Sequence, residues 1–166
     1  LHTSSGCVIN NAGSQGGTNT LTSDCNTGNA NTGCGVSTTN TNTYGTGFNS
    51  VGGGVYAMQW ESPGIYVWFF ERGHIPSDIT NGRPVTGDWG TPVVAFNGNA
   101  GCNIDSHFAN NNIIFDTTFC GDWAGSVWGS SSCAGLASSC QSYVAANPGA
   151  FTNAYWAINS VKVYQQ

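Results

Sequence analysis

The sequence predicts an all-β fold: an antiparallel, loop-rich, disulfide-containing β-sandwich or jelly roll. Three observations carry this. Val55 to Glu61 and Ile65 to Glu71 are β-branched and aromatic runs flanking Ser62-Pro63-Gly64, the pattern of a β-hairpin. Ala154 to Tyr164 alternates, with Tyr155, Ala157, Asn159, Val161 and Val163 on one side and Trp156, Ile158, Ser160, Lys162 and Tyr164 on the other. Residues 1–50 are poor in hydrophobics and dense in Gly, Asn, Ser and Thr, as long polar loops are.

Taken in order, residues 1–50 read as loops with little regular structure, stapled by a disulfide. The hairpin follows, then strands over Pro92 to Phe96, Asn112 to Phe119 and Ala154 to Tyr164. A helix is expected from about Ser138 to Ala146, ended by Asn147-Pro148-Gly149. No repeat or interdomain linker stands out, so residues 1–166 are expected to form a single domain or half-domain.

Composition narrows the function. Hydrophobic residues make up 39 % and include six Trp, eight Phe and six Tyr, more apolar payload than a disordered chain carries. Only 7 % of residues are charged, against about 25 % in average globular chains. Gly, Asn, Ser and Thr supply 77 of 166 residues, a surface suited to carbohydrate and to an extracellular setting. With a net charge of −5 and scattered cations at Arg72, Arg83 and Lys162, no basic stripe exists to neutralise phosphates. Neither nucleic acid nor an anionic membrane is an expected partner.

Seven Cys in such a chain point to disulfides and a secreted protein. Spacing suggests Cys25 with Cys34 and Cys133 with Cys140, leaving one thiol over. No C-x-x-C occurs and no two His stand at ligand spacing, so neither metal nor cofactor is expected. No apolar run reaches the length of about 18 residues that spans a bilayer, and there is no N-x-Ser/Thr sequon. The sequence opens at Leu1 without a signal peptide, which suggests a processed or cut N-terminus.

The only Glu residues, Glu61 and Glu71, do not suit a glycosidase pair. Retaining pairs stand about 5 Å apart and inverting pairs about 6.5–9.5 Å. The hairpin puts roughly 20 Å between these two at about 3.3 Å per residue, so both read as solvated strand-end charges. There is no G-x-S-x-G elbow for a serine hydrolase and no phosphate loop around Gly52-Gly53-Gly54. Asp105-Ser106-His107 reads as a surface hydrogen-bonding cluster. Trp123, beside Asp122 and among small residues, is either a sugar-stacking platform or an aromatic cap on the core.

Several motifs then carry a family resemblance. Leu1-His2-Thr3-Ser4-Ser5-Gly6-Cys7, Gly52 through Trp60, Val67 through Arg72, Ile75-Pro76-Ser77-Asp78-Ile79, Trp89-Gly90-Thr91-Pro92, Asp105 through Phe108, Phe115 through Gly125 and Ala154 through Tyr164 occur in order. They resemble the fungal laminarinase-like endo-β-1,3(4)-glucanases of glycoside hydrolase family 16. The resemblance implies a concanavalin-like jelly roll with a β-glucan cleft and a retaining pair of Glu. In the family that pair lies in a G-E-I-D-x-x-E motif just upstream of the segment matched by Leu1 to Cys7. The implied reading is therefore part of a jelly roll, the C-terminal half, with nucleophile and acid/base outside this chain. His2 matches the family His beside the carboxylates, and Trp123 matches a glucosyl-stacking Trp. Asp122 and Trp128 are further substrate-binding candidates by adjacency.

Three readings follow. The chain is one part of a split glucanase whose N-terminal half is held non-covalently or by a disulfide. Alternatively, it is a non-catalytic glucan-binding half-module, self-associated for instance, or an inactive secreted fragment. The resemblance implies β-glucan polysaccharide as partner and a secreted, extracellular or cell-wall location.

Overall fold

A computed structural model describes residues 1–28 and 33–165, in two compact units, Leu1–Asn111 and Asn112–Gln166. The first unit runs β1 (Thr18–Thr22), β2 (Gly35–Thr38), α1 (Gly45–Ser50), β3 (Gly54–Glu61), β4 (Gly64–Glu71), α2 (Ser77–Thr80), β5 (Val94–Asn97) and α3 (Ile104–His107). The second contains α4 (Asp122–Val127) and α5 (Cys140–Ala146).

The expected hairpin forms β3 and β4, in register from Gly54↔Glu71 to Glu61↔Gly64. The expected strand at Pro92 to Phe96 appears as β5, antiparallel to β4. Central β4 is the better covered strand: Ile65 and Trp68 are buried, and the Trp68 indole donates to Gly90 O at 2.9 Å. On edge strand β3, Tyr56, Met58 and Trp60 are exposed.

Residues 1–50 hold more order than their composition promises. Antiparallel β1 and β2 pair from Thr18↔Thr38 to Thr22↔Gly35. Five of their nine residues are Thr or Val, whose branched side chains suit a pleated strand. The strand signal is masked by polar atoms. The Cys25–Cys34 bridge closes the connection between them, as the spacing suggested. Residues 29–32 of that loop lie outside the described residues.

The first unit's core is largely disulfide. Cys7, Cys25, Cys34 and Cys102 pack with Ile9, Ile65, Ile104 and Phe108, and Cys7–Cys102 joins segments 95 residues apart. At the hairpin's far end, Asp78 Oδ2 accepts from Val85 N–H and the Trp89 indole, both at 2.7 Å. Partial burial pushes this carboxyl up, but these bonds and local backbone amides outweigh it and hold its pKa below the usual value. A lowered folded pKa gives stability that is present above the unfolded value of about 3.9 and lost as pH falls through the folded value. Asp78→Asn should therefore destabilise the protein at neutral pH and flatten its acid-unfolding curve, read by Trp fluorescence. An unchanged acid limb would refute this role.

The second unit corrects three expectations. Asn112 to Phe119 and Ala154 to Tyr164 are not strands. A strand needs a hydrogen-bonding neighbour, and among the described residues neither segment has a ladder partner. They meet through the Trp156 side chain, whose ring lies 5.8 Å from that of Phe115 and whose indole donates to Asp116 O at 2.9 Å. Their apolar side chains stay exposed, Ile114 by 76 % and Val163 by 71 %. Cys140 pairs with Cys120, not with Cys133, whose thiol is free. The expected helix does form, as α5: Ser139 and Ser142 make a reciprocal capping box, and Ser139 places Cys140 at the first helical position, where Cys120 reaches it.

Candidate functional site

The segment carrying His2 is held on both sides. The Leu1 nitrogen donates to Cys34 O at 2.6 Å, and Cys34 N–H returns a bond to Leu1 O at 2.8 Å. Thr3 N–H donates to Cys25 O at 2.8 Å, and Thr27 N–H donates to Thr3 O at 3.1 Å. The Cys25–Cys34 bridge thus presents two rails, and Leu1 to Thr3 lies between them. Gly33 forms the floor. Its φ is +63°, and a Cβ there would overlap the His2 ring and the Leu1 carbonyl. His2 itself is exposed and lines an open depression of about 790 Å³ with Ser4, Ser5, Asn26, Thr27 and His107.

Asp105-Ser106-His107 is the hydrogen-bonding cluster its composition suggests, and it reaches further. Asp105 accepts from the Ser62 hydroxyl at 2.7 Å. His107 Nδ1 lies 2.9 Å from Asn103 O, and Nε2 lies 3.2 Å from Ser5 O. Two carbonyl acceptors favour the doubly protonated ring, first through Asn103 and then through Ser5, so the His107 pKa is raised above its ordinary value despite some opposing desolvation. Sequence reasoning missed that His107 and His2 line one depression. The long Cys7–Cys102 connection, which joins the two segments, was the available signal. Cys7, Cys102 and His107 place ligand-type atoms within 4.8 Å of one another, but both sulfurs are committed to the disulfide and leave no thiolate for a metal.

The hairpin register puts Glu61 and Glu71 at opposite ends of the β3–β4 pair. Glu71 is not a free strand-end charge: it accepts from Asn42 Nδ2 at 2.7 Å and stands 3.7 Å from His74 Nδ1. Glu61 accepts from Gln59 Nε2. These two carboxylates cannot flank one glycosidic bond.

In the second unit, Asp122 opens α4, where its charge complements the helix N-terminus. Trp123 follows it with its side chain 78 % exposed, in reach of a ligand. Trp128 is half-buried: its indole donates to Ala137 O at 2.9 Å, and its ring lies 5.8 Å from that of Tyr143. Trp123 and Trp128 share the lining of an apolar depression of about 320 Å³ with Phe119, Tyr143 and Phe151.

The family described as the XgeA-like, catalytic GH16 domain matches residues 1–164. The chain belongs to glycoside hydrolase family 16. Within that family it is 47 % identical, over 99 % of its length, to a protein of Aspergillus niger named as a probable endo-1,3(4)-beta-glucanase. It also matches Laminarinase 16A of Phanerochaete chrysosporium, solved with 6-O-glucosyl-laminaritriose in donor and acceptor sites, at 44 % identity and a TM-score of 0.80 over 94 % of this chain. An elongating family 16 beta-1,3-glucosyltransferase matches at 43 % identity and a TM-score of 0.70 over 80 % of this chain. This family 16 chain spans 22 % of the A. niger relative, 53 % of the laminarinase chain and 44 % of the glucosyltransferase chain.

Proposed function

We propose that residues 1–166 are the C-terminal part of a concanavalin-like jelly roll that cleaves β-1,3(4)-glucan by retaining double displacement. The observation that carries this reading is the catalytic-domain match over residues 1–164, in a chain whose own two Glu stand at opposite ends of a hairpin. The nucleophile and the acid/base then come from outside this chain, from an N-terminal half covalently continuous with it or bound to it. A carboxylate attacks the anomeric carbon while a second protonates the leaving oxygen, and water then releases the covalent glucosyl intermediate.

This chain's own contribution is positioning. His2, fixed between the two rails of the Cys25–Cys34 bridge, hydrogen-bonds beside the carboxylate pair. Trp123 offers an exposed face to the C–H face of a glucosyl ring, and Asp122 accepts from sugar hydroxyls. Trp128 supports the depression that Trp123 also lines, its indole N–H being already committed to Ala137 O. The low-charge, disulfide-bonded surface fits a secreted protein acting outside the cell or in the wall. Among the described residues no helix is long and apolar enough to cross a membrane.

His2→Ala should lower kcat for laminarin hydrolysis by about 10²-fold or more with little change in KM, as expected for an interaction made in the transition state. A change confined to KM would refute the role. The products also separate outcomes: shorter oligosaccharides with new reducing ends indicate hydrolysis, whereas longer ones indicate glucosyl transfer. A protein that retains laminarin without altering it would be a binding module.

A further inference from the structure

We propose that His107 is a positioning residue for His2, its doubly donating ring clamping the Ser5 carbonyl and so fixing the Leu1 to Cys7 segment. The inference rests on the proposed role of His2 for its functional meaning and on this chain's geometry for its substance. Five sets of restraints hold that segment: the pairing of Leu1 with Cys34, the bonds of Thr3 with Cys25 and Thr27, the Cys7–Cys102 bridge, the Cys25 N–H bond to Cys7 O, and His107 to Ser5 O. The first two act on residues 1–3, and the bridge and the Cys25 bond act on residue 7. The turn through Ser4, Ser5 and Gly6, where Gly6 takes φ +91°, is held to the rest of the unit by His107, whose Nε2 lies 3.9 Å from where a Gly6 Cβ would stand.

This clamp titrates. Asn103 O and Ser5 O both accept only, so a neutral ring leaves one nitrogen lone pair facing a carbonyl oxygen. The Ser106 hydroxyl, 3.1 Å from Nδ1, relieves that clash only by leaving its own acceptor, Asn103 O, at 3.0 Å. Either way one hydrogen bond is lost on deprotonation. The other titratable groups nearby are engaged or farther out: Asp105 binds the Ser62 hydroxyl, Asp24 accepts from Asn26 N–H, the Leu1 nitrogen binds Cys34 O, and the Cys7–Cys102 sulfurs do not titrate. His2 shares the depression. Because the folded-state pKa of His107 is raised, the clamp is complete below the ordinary His value and is weakened by one hydrogen bond as pH rises through the raised value.

The test is amide exchange followed by NMR in the intact protein, together with the ring signals of His2 and His107. As His107 deprotonates, the protection factors of the Thr3 and Thr27 amides should fall by about tenfold, the size of one hydrogen bond. The His2 ring signals should move at the same pH. In His107→Gln, which keeps one donor toward Ser5 O, both pH-dependent changes should vanish. Ser106→Ala, which removes the alternative partner of Nδ1, should enlarge them. Protection independent of pH in the wild-type protein would overturn the proposal, whether or not a variant folds. None of these readouts requires glucan turnover, so a protein that shows the coupling and cuts no glucan would refute the proposed function and leave this inference standing.

Discussion

Cys7→Ala/Cys102→Ala should be the most destabilising change in the first unit, costing about 4–5 kcal/mol. The bridge joins residues 95 apart, and the chain-entropy cost of an open loop grows with the logarithm of its length. The same relation gives about 3 kcal/mol for Cys120–Cys140 and about 2.5 kcal/mol for Cys25–Cys34, whose separations are 20 and 9 residues. Burial adds to the first difference, since Cys7 and Cys102 belong to a core with few aliphatic side chains. Denaturant unfolding of the three double-alanine variants should therefore rank Cys7–Cys102 first. Equal midpoints for all three would show that loop entropy does not organise this fold.

Gly33→Ala is the second large effect. The position takes φ +63°, where a Cβ costs about 1–2 kcal/mol by itself. The new methyl also meets the Leu1 carbonyl and the His2 ring, and the carbonyl is backbone that pairs with Cys34. Both contacts belong to the segment that carries His2. Gly33→Ala should lower stability by more than ~2 kcal/mol and shift the NMR signals of His2 far more than those of His74. An unmoved His2 would show that Gly33 does not set its position.

What could be read from residues alone follows a physical line. The β3–β4 hairpin was legible because its side chains are β-branched and aromatic, its turn holds Pro63-Gly64, and the two strands are each other's partners. Helix α5 was legible from Asn147-Pro148-Gly149, a local stop that needs nothing distant, and the structure adds the Ser139 cap at its start. Hairpin β1–β2 was hidden because its strands are written in Thr, Ser and Asn, which composition assigns to loops. The segments 112–119 and 154–164 fail in the opposite sense. Their alternation is a strand pattern, but alternation encodes only a face, and a strand also requires a neighbour that these described residues do not supply. Disulfide spacing succeeded for Cys25–Cys34, where the nearest Cys is the partner. It failed for Cys140, where the helix start faces Cys120 and not the nearer Cys133.

The site divides in the same way. His2 was found through motif resemblance, which carries residue identity and no geometry; Trp123 stood out beside Asp122 among small residues, and the resemblance added its sugar-stacking role. Their surroundings, the Gly33 floor under His2 and the His107 clamp on Ser5, depend on contacts between residues that are distant in sequence. No local pattern announces them. Glu71 shows the converse: the sequence suggests a solvated charge, and its bond to Asn42 emerges only when the fold brings residue 42 to the end of β4, whereas His74, three residues on, is a local neighbour.

The central claim is that the carboxylates of a family 16 glucanase lie outside these residues while this chain positions the substrate. The direct measurement is the initial rate of reducing-end release from laminarin by the intact protein and by its Glu61→Gln/Glu71→Gln variant. The two rates should agree within about twofold, with folding of the variant checked by its unfolding midpoint. Loss of hydrolysis in a folded Glu61→Gln/Glu71→Gln variant would place catalysis on this chain's own carboxylates and contradict the account.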